Sequence, residues 1–526
     1  MISYKLMHTY MLDAGCNPVI IGNFSKSVLN QQFELKWDSR ECGETTMFAA
    51  LEGQVTDGHR FVRDALHSGC SGFLLGRKSI ERYSIDIEEL ARNGICLVVD
   101  DVMMAIEYAA KKYRNEHSAF RIGITGSVGK TSTKEWLYTL LKRCYSVIAT
   151  KKSLNTKIAI LASIFSISKE TEIFICEMGI DRVGEMDELV DLVLPHMTII
   201  TRIGSAHIGN FGSQLVLAEE KAKILSRLSE SSNEKTAVPY HENRPTAWFS
   251  DQPAFFEVFE QHANGVLFEK FWGTTIWKRN NAVENTGKKE YTTTIIGDPI
   301  TAKVDTSGHL HSLTMALQIA HSLGCSAVEL QEGVSEGVSL VGRGKIIPLS
   351  NGILIDDAYN ASYDSVVAAL LDLSERGRSD YTVAILGSMD ELGSYSTGYH
   401  KMIIEFIVSS AIRSVIFVGD VWKRFSLDFP HFEYLNSLSE AFSAYSLMTR
   451  KRKHVVLVKG SRSHGLDRLI DDILDRQDNL LKMSISRSAV KTYRLENAFS
   501  SRELDTSAIC TMNTTIWGSE TGGAKW

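Results

Sequence analysis

The chain has 526 residues, 44% of them hydrophobic and 23% charged, a composition that excludes wholesale disorder and suggests about three domains. Its 57 Lys and Arg against 63 Asp and Glu leave a net charge of −6, so nucleic-acid backbone binding is excluded as a main purpose, while a local nucleotide site is not.

The N-terminus, MISYKLMHTYMLDAGC, lacks an apolar core long enough for a secretory signal. The longest uncharged stretch, 306–328, contains three histidines and a glutamine and reads as an amphipathic helix rather than a membrane span. The eight cysteines form no CxxC pair, and several sit in apolar runs such as GICLVVD and IFICEMG. Buried, reduced thiols in a cytoplasmic protein are the expectation.

Residues 1–118 alternate apolar runs with helical patterns. SGFLLG (71–76) and ICLVVD (95–100) are predicted strands, ERYSIDIEELARNG between them one helix, and 102–117 another. FRIGITG (120–126) opens a second domain, with further strands at 172–179 and 196–204 and a closing helix at 310–323. Strands alternating with helices imply a mainly parallel sheet. Residues 229–300 are polar and suggest no regular element. A third unit has strands at 352–359, 381–387, 413–419 and 454–460, again a doubly wound α/β pattern. The expected division is therefore 1–118, 119–340, 341–482 and a poorly ordered tail, 483–526.

The strongest local signal is GITGSVGKTSTKEW, from Gly123 to Trp136, which follows an apolar strand and opens a helix. Gly126 and Gly129 let backbone N–H groups approach phosphate oxygens without a Cβ in the way. A helix N-terminus adds unpaired donors and partial positive charge. Lys130 offers a point charge to terminal phosphates and Thr131 a hydroxyl to Mg²⁺. The longer pattern GxxxxGK[ST] would need glycine at Ile124, so the match is to GxxGK[ST]. The bland alternative is a glycine turn capping a helix.

Ligands of open α/β sheets bind beyond the carboxyl ends of the strands. Glu177 ends one predicted strand, and His207 follows another in SAHIGNFGS. Both should emerge on the phosphate-loop edge, where a carboxylate and a hydroxyl suit Mg²⁺. Lys221, in QLVLAEEKAKIL, reads by composition alone as a solvated helix lysine.

These motifs resemble the Mur ligases, ATP-dependent amide-bond ligases of peptidoglycan precursor synthesis. GITGSVGKTSTKE, EMG…GEM (177–186) and IGSAHIGNFGS (203–213), with Lys221 downstream, look like that family's central domain. IDDAYNASYDSVVAAL (355–370), AILGSMDELG (384–393) and VKGSRSHGLDRL (458–469) look like the members that add D-alanyl-D-alanine to a UDP-N-acetylmuramoyl-tripeptide. WDSRECGETTMFAALEGQVTDGHRFV (37–62) resembles their uridine-nucleotide domain.

The resemblance implies a three-domain α/β ligase: a UDP-sugar domain, a central P-loop ATPase domain and a C-terminal Rossmann-like domain. Gly126, Ser127, Val128, Gly129, Lys130, Thr131 and Ser132 would hold the ATP phosphates. Thr131 and Glu177 would bind one Mg²⁺, and His207 a second with Lys221 carried as a carbamate. Arg343 would reach the phosphates, Asp357 the ribose, Ser39 the uracil end and Asn155 the muramoyl side. A monomer acting on these two small substrates, without nucleic acid or membrane insertion, is implied. The chain departs from the family pattern at Thr156, Ala159 and Arg202, and near Leu310 or Leu313 where an adenine-contacting Asn is expected. The rivals are a related ligase, such as one extending folate with glutamate, a non-catalytic nucleotide-binding homologue, and a P-loop GTPase. No NKxD-type guanine-reading segment supports the last.

Overall fold

The computed structural model describes residues 1–476, apart from 23–24, 54–55, 152–154, 229–235, 239–245, 251, 264–266, 272–276, 281–288, 296–297, 377–380 and 451. Contacts divide the chain into Met1–Arg468 and Leu469–Trp526. All four sheets lie in the first unit; residues 469–476 of the second are helical. The tail expected at 483–526 lies outside the described residues.

The first sheet contains β1 (Ile2–Ser3), β2 (Val19–Ile21), β3 (Gln32–Lys36), β4 (Thr46–Ala49), β5 (Gly72–Gly76) and β6 (Ile95–Val99), in the order β1-β3-β4-β5-β6-β2. β3 to β6 run parallel; the two edge strands are antiparallel. The single helix expected across 81–94 is instead two, Arg77–Arg82 and Ile87–Asn93. Ser84 breaks it with a φ of +48°, and the Asp86 carboxylate caps the second helix by accepting from the Glu89 N–H at 2.9 Å.

The second sheet contains β7 (Phe120–Thr125), β8 (Val147–Ala149), β9 (Ile173–Glu177), β10 (Met197–Ile200), β11 (Ala247–Ser250) and β12 (Phe268–Phe271), all parallel, in the order β12-β11-β10-β7-β9-β8. Every residue of β7, β9 and β10 is buried, the signature of a parallel sheet covered on both faces. β7 stands where the strand order reverses direction, so its carboxyl end opens onto the crevice of the sheet.

The reading of 229–300 as irregular is corrected by β11, β12 and an antiparallel three-stranded sheet, β13 (Lys278–Arg279), β14 (Lys289–Ile295) and β15 (Asp298–Val304). β11 is only AWFS, too short to show periodicity, yet all four residues are buried. The helix expected at 310–323 spans Ser307–Ser322 and does not close this region, because a second helix, Ala327–Glu336, follows the turn at Gly324.

The fourth sheet contains β16 (Lys345–Leu349), β17 (Gly352–Asp357), β18 (Tyr381–Gly387), β19 (Ser414–Val418), β20 (Glu433–Leu435) and β21 (His454–Lys459), in the order β16-β17-β21-β18-β19-β20. Only β16 is antiparallel to its neighbour. Seven cysteines are described and all are free thiols; four are buried.

Candidate active site

The loop after β7 has backbone geometry that only glycine tolerates. Gly126 has a φ of +142°, and a Cβ there would stand 2.1 Å from Thr201 Oγ1. Gly129, at +91°, precedes the helix Lys130–Leu141 and leaves its first N–H groups facing the cleft. The Lys130 ammonium donates to the Gly126 carbonyl at 2.7 Å. Burial lowers its pKa, opposed by the Glu177 carboxylate.

Glu177, at the end of β9, is 1% exposed. Its carboxylate accepts from the Thr131 hydroxyl at 3.0 and 2.9 Å. Fully buried Lys134, one turn beyond Lys130, lies 3.8 Å from Glu177 Oε2 and donates to the Thr150 carbonyl at 2.6 Å. Sequence reasoning passed over Lys134, although the i, i+4 spacing from Lys130 was visible.

His207, at a φ of +63°, places Nδ1 3.0 Å from Asp181 Oδ1 and 2.5 Å from Glu391 Oε2. The donor atoms of the three side chains lie within 4.8 Å of one another. Neither Asp181 nor Glu391 was singled out in the sequence; Glu391 arrives from the fourth sheet, beyond β18.

Lys221 is fully buried, correcting the solvated reading of this residue that composition suggests. Its Nζ has no hydrogen-bond partner among the described residues. Desolvation and then the neighbouring Lys130 charge push its pKa well below the ordinary lysine value, against opposing pulls from Asp181, Glu185 and Glu220. Its helix is anchored next door, where Glu220 accepts from the Gly184 N–H at 2.8 Å.

Across the cleft, β17 and β21 pair Asp357 with Lys459, whose Nζ lies 2.8 Å from Asp357 Oδ2. Burial raises the Asp357 pKa and Lys459 opposes it. The Arg343 guanidinium stacks 4.1 Å from the centre of the Tyr359 ring, and Arg462 lies 5.2 Å from the same ring.

These groups line a cavity of about 360 Å³, which the whole run Ser127–Ser132 enters together with Glu177, His207, Arg343 and Asp357. Asn155 also lines it, packed so closely on Gly179 that a Cβ there would meet Asn155 Nδ2 at 2.2 Å. Lys221 is buried behind this wall rather than lining it. A second cleft, about 930 Å³, is lined by Lys36, Trp37, Tyr138 and Lys151. The two clefts share Thr131, Arg343 and Tyr359. Ser39 is 8% exposed and lines neither. Leu310 and Leu313 are buried, leaving His309 and Ser312 as the polar residues of that helix facing the first cavity.

The donor set suits a hard divalent cation. Thr131 and Glu177 offer a hydroxyl and a carboxylate, and His207, with the Asp181 and Glu391 carboxylates against its Nδ1, has Nε2 to offer a second ion. Burial favours the uncharged form of the Lys221 amine, and that is the form that adds carbon dioxide.

Residues 124–306 match the model of the Mur ligase middle domain and 342–462 that of the Mur ligase glutamate ligase domain. The chain is 32% identical over 450 residues to the UDP-N-acetylmuramoyl-tripeptide–D-alanyl-D-alanine ligase of Treponema pallidum, covering 83% of this chain and 92% of that one. A crystal structure of MurF from Acinetobacter baumannii superposes with a TM-score of 0.73 at 21% identity, covering 90% of this chain and 98% of that one. The ADP complex of MurF ligase from Thermotoga maritima superposes with a TM-score of 0.67 at 22% identity, covering 85% and 99%.

Proposed function

The chain belongs to the Mur ligase family, and from that membership we propose that it joins D-alanyl-D-alanine to a UDP-N-acetylmuramoyl-tripeptide at the expense of ATP. The observation that carries this reading is the meeting of the two clefts at Thr131, Arg343 and Tyr359. A nucleotide in the first cleft and an acyl substrate in the second would bring a terminal phosphate and a carboxylate together there. The likeness to ligases of that name over 83% of this chain supports the substrate pair.

A carboxylate oxygen of the tripeptide attacks the γ-phosphorus of ATP, and ADP leaves with the bridging oxygen. The amine of the dipeptide then attacks the acyl phosphate carbon, loses a proton and expels inorganic phosphate. Lys130 and the N–H groups at the start of its helix face the phosphates, and Arg343 lies where charge accumulates during transfer. Mg²⁺, when bound, supplies charge neutralisation on the transferring phosphoryl group. Thr131 and Glu177 would hold one ion. His207, with Lys221 as a carbamate, would serve a second. Asp357 is assigned to the ribose and Asn155 to the muramoyl side, and Ser39 supports the uridine end from within its buried turn.

On this reading 1–118 receives the UDP-sugar, 119–340 binds ATP and 341–482 completes the nucleotide site. Among the described residues no helix is long and apolar enough to cross a membrane; we place the enzyme in the cytoplasm as a monomer.

The test is phosphate release from ATP with each pairing of acid and amine. Release should require both a UDP-muramoyl-tripeptide and D-alanyl-D-alanine. Turnover with a folate and glutamate instead would overturn the assignment.

A further inference from the structure

The segment that carries His207 is also where the fourth sheet rests on the second. Asp364, at the start of the helix Tyr363–Arg376, accepts through Oδ2 from the Ser205 N–H at 2.8 Å and from the Ser205 hydroxyl at 3.1 Å. The Tyr363 N–H returns a bond to the same hydroxyl at 3.1 Å. On the other side of His207, the Gly209 N–H donates to the Glu391 carbonyl at 2.9 Å, and the Tyr395 hydroxyl to the Gly212 carbonyl at 2.5 Å. Ile208, 3% exposed, packs in the same apolar cluster as Leu386, Leu392 and Ile403 from the region of the fourth sheet.

Two glycines make the approach possible. A Cβ on Gly204 would stand 2.5 Å from Asp364 Oδ2, and one on Gly209 would stand 2.5 Å from the Gly393 nitrogen and 2.8 Å from the Glu391 carbonyl oxygen. The nearest obstacle at each comes from the region of the fourth sheet. His207 sits between these two contacts and touches the Glu391 carboxylate.

We propose that residues 204–212 are a docking tongue that couples seating of the C-terminal sheet to placement of His207, with Asp364 and Glu391 as positioning residues. Seating fixes the tongue on both sides of His207 and sets a carboxylate against Nδ1. Such a partner orients an imidazole so that its other nitrogen meets a metal. Without seating, the polar grip at Ser205 and the apolar grip at Ile208 are both released, and His207 loses Glu391. The inference rests on the reading of His207 as a metal-side residue and adds how it is held there.

Gly209→Ala is the sharpest test. It removes no polar group, and alanine suits the short helix Ile208–Phe211. The three atoms nearest its methyl belong to Glu391, Leu392 and Gly393, in the segment after β18. With ADP and Mg²⁺, small-angle scattering should report a larger radius of gyration for Gly209→Ala and Asp364→Ala than for the unaltered chain. The Mn²⁺ dissociation constant, read by electron paramagnetic resonance in the presence of ADP, should rise about tenfold. kcat should fall tenfold to roughly a hundredfold, with KM for the UDP-substrate unchanged. Asp364→Asn, which keeps an acceptor oxygen, should recover most of each quantity, and Ser205→Ala combined with Asp364→Ala should be no worse than Asp364→Ala alone. Folded Gly209→Ala and Asp364→Ala proteins with unaltered scattering and unaltered Mn²⁺ affinity would overturn the coupling. If the unaltered chain released no phosphate with its two substrates, the proposed function would fail, while the scattering and Mn²⁺ measurements would still decide the docking.

Discussion

The Thr131 hydroxyl and the Glu177 carboxylate face one another at 2.9–3.0 Å, with Lys134 buried 3.8 Å beyond. The hydroxyl comes from the first turn of a helix and the carboxylate from the end of the adjacent strand, so the sheet itself sets their separation. A carboxylate so deeply buried needs both neighbours.

Replacing Glu177 by Gln keeps its shape and removes its charge. Activity should fall by about 10²–10³-fold, the usual consequence of losing one electrostatic element of a phosphoryl-transfer site. The unfolding temperature should also drop, because buried Lys134 loses one of its carboxylate neighbours, though it retains Glu135 at 3.1 Å. Steady-state phosphate release and thermal denaturation measure the two effects, and unchanged values for both would contradict this account.

Gly126→Ala tests the loop geometry. The new methyl would enter the space of Thr201 Oγ1 at 2.1 Å with the backbone at a φ of +142°. Strain of about 1–3 kcal/mol is expected before any neighbour moves. Calorimetry should show ADP affinity lost, with far-ultraviolet circular dichroism preserved. Full nucleotide affinity would mean that the loop does not need this conformation.

Lys221 separates stability from function. Lys221→Ala should abolish most activity, and short carboxylic acids should restore part of it by standing in for a carbamate. Lys221→Met should be equally inactive but more resistant to heat at neutral pH, because it removes a buried amine that lacks a partner. Between its lowered pKa and the ordinary 10.5, the folded state binds fewer protons here than the unfolded state, so unaltered-chain stability rises with pH across that window. The stability advantage of Lys221→Met should therefore shrink toward alkaline pH in carbon-dioxide-free buffer; an advantage that widened instead would rule out a neutral buried amine.

His400 gives a pH dependence of the same sign at the acid end. It is fully buried, accepts from the Met389 N–H at 3.0 Å through Nε2, and has its pKa pushed down to about 4 by burial. A histidine lowered from 6.5 contributes stability that is present above the unfolded value and lost as pH falls toward 4. The loss should amount to roughly 3 kcal/mol across that window. Urea denaturation at a series of pH values should show it, and His400→Gln, which cannot titrate, should flatten the profile. Because His400 holds the turn that leads to Glu391, the same variant tests how firmly that carboxylate is presented.

The phosphate loop was legible in sequence because its determinants are local. The strand FRIGIT, two glycines at positive φ, Lys130, Thr131 and the helix they open are consecutive, and their chemistry depends on spacing alone. Glu177 was legible for a similar reason, since the end of an apolar run marks a strand end and strand ends share an edge. The short strands β11 and β12 were not, because four residues carry too little periodicity to stand out from polar surroundings. The pairing of His207 with Asp181 and Glu391 was decided only by the tertiary structure: three residues as far apart as 181 and 391 meet because the segment after β10 packs on the segment after β18. The fate of Lys221 was decided there as well. Its helix reads as solvated by composition, and only the packing of neighbouring elements excludes water from its amine and pushes its pKa down. Local chemistry follows from adjacent residues, whereas burial and long-range charge pairing follow from which surfaces the folded chain brings together.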